Sequence, residues 1–133
     1  AGDEIIRGCG QMFQGNCREH DVVTRYGGDE FVVVFWDKSG PREPGSHHPT
    51  TVLPIIERCR RSIQTQRFER FKLPENARLT ISGGLASFPT DATTVEGLIT
   101  RADEALYRAK RDGKNCIYLG GDSVSPALGA DGA

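Results

Sequence analysis

Asp29 and Glu30 stand side by side, directly after Gly27-Gly28, in a sequence of 133 residues. Glycine has no Cβ, so a bulky ligand can lie close to the backbone there. Adjacent carboxylates repel one another unless a cation or a basic group compensates. A hard divalent ion such as Mg²⁺ takes carboxylate oxygens and shares its shell with phosphates. The four residues therefore suit a metal–triphosphate site. They also suit an ordinary turn, where Gly and Asp are common for local reasons. Lys110 and Lys114 flank Gly113. Two ammonium groups there can hold the β and γ phosphates of a nucleotide, or simply complement the negative end of a helix. Arg18-Glu19-His20-Asp21 offers a third pairing. Arg can fork onto a phosphate or a guanine edge, and Asp can accept from guanine donors. The bland alternative is a polar loop that starts a strand. His47 and His48 have no Cys or carboxylate at a metal-binding spacing and read as solvated loop residues.

These groups need elements to hold them. Ile5, Ile6, Cys9, Met12, Phe13 and Cys17 fall on one helical stripe over 3–17. Residues 22–26 and 31–36 are rich in Val, Phe, Tyr and Thr, and the Gly-rich turn between them predicts a β-hairpin. The second run, FVVVFW, is apolar almost throughout, which predicts a central strand buried on both faces. Residues 37–51 hold three of the seven prolines and predict an exposed loop. Helical spacing returns over 52–67 with Val52, Ile55, Ile56, Cys59 and Ile63. Arg58, Arg60, Arg61 and Arg67 occupy its other, solvated faces. Residues 78–86 predict a strand. Thr93 with Glu96 makes a capping-box pattern before a helix on Val95, Leu98, Ile99, Ala102, Leu106 and Ala109, which Gly113 ends. Cys116 to Leu119 predicts a last short strand. The tail is Gly/Ala/Pro/Ser-rich and reads as a flexible linker.

The balance of 37% hydrophobic and 26% charged residues is that of one globular domain. It excludes whole-chain disorder, collagen and coiled coil. A net charge of -1 argues against a broad nucleic-acid surface, so nucleic acid is not an expected partner. No apolar run approaches the roughly 18–20 residues of a membrane span. Cys9, Cys17, Cys59 and Cys116 form no CxxC pair. They read as reduced structural thiols and point to a cytoplasmic setting, free or as the cytoplasmic module of a membrane receptor. Helix, hairpin, loop, helix, strand, helix and strand in that order make an α+β fold of helices packed on a sheet.

Arg25-Tyr26-Gly27-Gly28-Asp29-Glu30-Phe31 contains the five-residue signature of the GGDEF domains, the diguanylate cyclases, and the chain resembles that family in further blocks. Ala1-Gly2-Asp3-Glu4 with the stripe behind it is similar to the helix after the family's first strand unit. Leu79-Thr80-Ile81-Ser82-Gly83-Gly84 is similar to its late strand. Ala102 to Lys110, then Gly113-Lys114-Asn115, is similar to its closing helix and turn. The resemblance implies a nucleotidyl-cyclase-like, palm or ferredoxin-like fold with an antiparallel-rich central sheet. Residues 1–119 would form a partial domain with an insertion at 37–51, and 120–133 a flexible tail. The family's first strand and helix would precede Ala1, together with a metal-binding Asp and a guanine-binding Asn.

The function implied is condensation of two GTP to cyclic di-GMP with release of two pyrophosphates, across a two-fold homodimer. Each 3′-hydroxyl attacks the α-phosphate of the other GTP. By resemblance, Asp29 binds Mg²⁺ or Mn²⁺, and Glu30 lies near the metals and the reacting hydroxyl. Gly27 and Gly28 let the phosphates approach, Asp3 meets the guanine edge, and Lys110 and Lys114 hold the terminal phosphates. Arg18 and Asp21 match an RxxD site where cyclic di-GMP inhibits, with Arg58 as a further arginine there. An upstream sensor or regulatory domain is implied as well. The alternative is a catalytically silent GGDEF-like sensor of cyclic di-GMP or GTP.

Overall fold

Apolar residues three and four apart build the first helix, α1, over Gly2–Asn16. The computed structural model describes residues 2–36, 52–65, 79–120 and 125–128. The expected insertion at 37–51, with its two histidines, lies outside the described residues, as does Arg67. The stripe of α1 rests on the hairpin of β1 (Val22–Gly27) and β2 (Glu30–Val34). Phe13 of α1 meets Phe31 of β2 with ring centroids 5.1 Å apart. The strands pair antiparallel from Val22 opposite Val34 to Gly27 opposite Glu30, with an irregularity between Arg25 and Gly27. The FVVVFW run is not buried on both faces. Val34 and Trp36 are 48% and 46% exposed, and β2 pairs only with β1 among the described residues.

Helix α2, Leu53–Thr65, buries Ile55, Cys59 and Ile63 behind Val52. Its turns also bury Arg60, which the sequence assigns to a solvated face. Arg60 is 4% exposed. Position 60 lies beside the stripe of 56 and 63, and Glu57, one turn back, supplies the countercharge.

The remaining elements are β3 (Gly83–Leu85), α3 (Val95–Arg111), β4 (Ile117–Leu119) and β5 (Ser125–Leu128). β3 is shorter than the strand expected over 78–86. The cap of α3 is Thr94, not Thr93: its side chain accepts from the Gly97 N–H at 3.0 Å. Position 97 is glycine, so no capping box forms. Val95 and Ile99, expected on the apolar stripe, are exposed, while Ala105 and Ala109 are fully buried. β3 pairs parallel with β4, and β4 pairs antiparallel with β5. The composition-based tail therefore contains a strand. Backbone hydrogen bonding places it there, which side-chain composition does not report.

Helix α3 lies very close to this second sheet. A Cβ on Gly84 would fall 2.0 Å from the Ala102 carbonyl oxygen and 2.5 Å from the Leu106 nitrogen. Only glycine allows that approach. The core gathers at this contact: Ala105, Ala109, Cys116 and Tyr118. The class is α+β, with the described strands divided between a two-stranded and a three-stranded sheet.

Candidate functional site

The hairpin turn is shaped by Gly28, whose φ of 51° is left-handed. That bend carries the chain from Gly27 to the acids. Asp29 and Glu30 are both exposed, and among the described residues neither carboxylate takes a hydrogen bond or ion pair. Two uncompensated carboxylates on one tight turn offer hard oxygen donors with room for phosphate oxygens and water, a donor set that suits Mg²⁺ or Mn²⁺. No third carboxylate, His or Cys joins them in a cluster among the described residues.

Arg25 ties this turn to the start of α1. Its Nε donates to the Gly28 carbonyl at 2.9 Å, and its Nη2 lies 3.7 Å from Asp3 Oδ1. The expected guanine-binding acid and the expected metal-binding turn are thus held by one side chain. The Asp3 carboxylate is 86% exposed, so the ion pair itself stabilises the fold little. Arg25 was visible in sequence only as a neighbour of the glycines. Its signal is the three-residue spacing to Gly28, which lets a long side chain fold back on the turn.

Lys110 lies in the last turn of α3 and Lys114 in the turn that follows it, and both are exposed. The helix is capped at Asp112, and Gly113, Lys114 and Asn115 follow with φ of 127°, 63° and 51°. Lys and Asn in this region are uncommon, and each costs on the order of 1 kcal/mol. Several bonds hold them there. The Lys114 N–H donates to Ala109 O at 3.0 Å, the Asn115 N–H donates to Ser82 Oγ at 3.1 Å, and Arg60 of α2 donates to Asn115 Oδ1 at 3.0 Å. Beside the turn, Asp112 accepts from Tyr118 at 2.8 Å and from Arg108 at 2.9 Å. Those two bonds hold its carboxyl below the ordinary range, the tyrosine contributing most. No hydrogen bond or ion pair among the described residues joins this turn to the acids of the hairpin.

Arg18 and Asp21 are also brought together. Arg18 donates through Nε at 3.2 and 3.1 Å and through Nη2 at 3.0 Å, while its backbone N–H donates to Oδ2 at 2.8 Å. The Asp21 carboxylate is fully buried. The guanidinium carbon lies 6.0 Å from the Phe35 ring centre. Arg58 reaches the same region from α2. It donates through Nε to Asn16 Oδ1 at 3.2 Å and through Nη2 to the Asn16 carbonyl. Helix α1 has no basic residue in its last turn, so Arg58 supplies the cation at its negative end.

Helices laid on small sheets, with an acid-bearing hairpin turn and a lysine-bearing turn behind the last helix, define the class of domain. The model of the family described as "Diguanylate cyclase, GGDEF domain" matches residues 1–116, and the chain belongs to that family. It is 40% identical over 122 residues to diguanylate cyclase DosC of Escherichia coli K12, covering 89% of this chain and 23% of that protein. It is 34% identical over 116 residues to response regulator PleD of Caulobacter vibrioides, covering 87% and 24%. The chain thus spans about a quarter of the length of these relatives. A solved structure of the active GGEEF domain of a diguanylate cyclase from Vibrio cholerae superposes with a TM-score of 0.72 at 25% identity, covering 91% of this chain and 69% of that one.

Proposed function

We propose that this chain is the catalytic module of a diguanylate cyclase, joining two GTP into cyclic di-GMP with release of two pyrophosphates. The observation that carries the reading is the hairpin turn: a left-handed Gly28 leads into two exposed, uncompensated carboxylates, and Arg25 links that turn to Asp3. In this reading Asp3 accepts from the guanine edge, and Gly27 and Gly28 leave room for the phosphates. Lys110 and Lys114 neutralise the terminal phosphates, which leave as pyrophosphate. Asp29 and Glu30 would hold Mg²⁺ or Mn²⁺, which when bound neutralises phosphoryl charge. On the same reading Glu30 would stand near the metals and the reacting 3′-hydroxyl. Positioning supplies much of the remaining rate, so no covalent intermediate with the protein is needed.

One module holds one GTP, so two modules meet face to face as a homodimer. Arg18, Asp21 and Arg58 form the inhibitory site for cyclic di-GMP, a role supported by their convergence where α1 ends. A sensor or regulatory domain upstream brings the modules together, in keeping with the greater length of the relatives. No helix among the described residues is long and apolar enough to cross a membrane.

The test is incubation of the full-length protein with GTP and Mg²⁺, with chromatography of the products. Cyclic di-GMP is expected, and Asp29→Asn or Glu30→Gln should abolish it. Because both side chains are exposed, unfolding stability should stay within about 0.5 kcal/mol of wild type. A folded dimer that makes no product overturns the reading.

A further inference from the structure

The buried arginine of α2 does not belong to any expected site, yet it reaches the turn that carries one. The Arg60 side chain is 5% exposed. It donates through Nε to Glu57 Oε2 at 2.9 Å and through Nη2 to Glu57 Oε1 at 2.7 Å. Its Nη1 donates to Asn115 Oδ1 at 3.0 Å, to Asn115 O at 3.4 Å and to Gln64 Oε1 at 3.5 Å. All three nitrogens of the guanidinium thus donate to protein groups, and the group is too deep to meet a nucleotide. Asn115 follows Lys114 directly, and both sit at left-handed φ. Such a pair persists only where its surroundings over-determine it. Here they do so from two sides: Ser82, just before β3, accepts the Asn115 N–H, and Arg60 of α2 grips the Asn115 side chain and carbonyl.

We propose that Arg60 is a positioning residue for the nucleotide's terminal phosphates, acting through Asn115 to aim Lys114. The inference rests on the functional reading above, which gives Lys114 its phosphate. Burying an arginine with its own carboxylate partner is, for stability alone, often no better than packing apolar groups of the same size. A guanidinium here does something an apolar side chain does not: it bonds two acceptors of one turn residue in a fixed geometry.

The test measures binding of two ligands to the full-length protein by calorimetry with Mg²⁺ present. One is the β,γ-methylene analogue of GTP. The other is GMP, which lacks the phosphates that Lys114 would meet. Arg60→Met should weaken the GTP analogue about tenfold and leave GMP within about twofold. Lys114→Ala should then add little on the Arg60→Met background, because the two act through one contact. Asn115→Gly removes Oδ1 while suiting the left-handed backbone, keeps the Arg60–Glu57 pair, and should show the same selectivity if Arg60→Met fails to fold. Equal weakening of both ligands, or of neither, overturns the proposal and leaves the functional reading standing. Wild-type protein that binds neither ligand overturns both.

Discussion

Replacing Gly84 by alanine puts the packing of α3 on β3 to a direct test. The added methyl carbon would sit 2.0 Å from the Ala102 carbonyl oxygen, 2.5 Å from the Leu106 nitrogen and 3.0 Å from the Ala102 carbonyl carbon. All three obstacles are helix backbone, so no side chain can rotate away. Relief requires α3 to withdraw by about 1 Å or more before ordinary contact distances return. That withdrawal loosens the layer beneath, where Ala105 and Ala109 are 0% exposed and Cys116 is 2% exposed. Overpacked cores lose about 1–3 kcal/mol, and an unyielding obstacle puts Gly84→Ala at about 3 kcal/mol. For a domain of this size the melting temperature should fall by about 10 °C. Urea titration followed by circular dichroism measures the loss. Gly15→Ala is the control. A Cβ at Gly15 in α1 meets nothing within 4 Å, so helix propensity alone should raise stability by about 0.5 kcal/mol. If Gly84→Ala unfolds within 0.5 kcal/mol of wild type, the close approach of helix and strand is wrong.

Further outcomes follow from the charged and thiol groups. Hydrogen bonds from Arg60 first, then Arg61, lower the Glu57 carboxyl to about 2 from its ordinary 4.5. A lowered acid stabilises the fold above its ordinary value. The contribution of Glu57, roughly 1–2 kcal/mol after solvent screening, should therefore drain away as pH falls from about 4.5 towards about 2. Melting curves of wild type and Glu57→Gln should accordingly converge across that window; a constant gap would refute the pairing. Burial first, then the neighbouring Cys17, pushes the Cys59 thiol up to about 12. At pH 8 its thiolate fraction is about a thousandfold below that of an ordinary thiol. Mass spectrometry after iodoacetamide treatment should find Cys59 unmodified in folded protein and labelled in urea, and rapid labelling of the folded chain would contradict its burial.

The helices and the hairpin were legible because apolar spacing and glycine turns act locally. Ile55, Cys59 and Ile63 face inward as their periodicity requires, and Gly28 takes the left-handed bend that the turn implies. What was not legible depends on neighbours distant in sequence. The FVVVFW run reports hydrophobicity but not what lies on either side of it, and Val34 and Trp36 are half exposed. Arg60 reads as solvated by residue type, yet Glu57 three positions earlier was the available sign that its charge could be buried. Ser125–Leu128 joins β4 through backbone groups that composition ignores. At the site, the signature and the lysine pair were readable as residues. The reach of Arg25 to Asp3 and the bracing of Asn115 by Arg60 are contacts across the fold, with no local pattern to announce them.

Arg58 begins its working life already occupied. Its guanidinium closes the open end of α1 by bonding the Asn16 carbonyl and side chain. Any anion arriving there competes with an incumbent that belongs to the same chain, and eviction leaves a helix terminus without its cation. Affinity at that corner is therefore a difference between two bonds rather than the strength of one. A visitor with a single weak charge gains little, whereas a ligand that engages several arginines at once can outbid the helix.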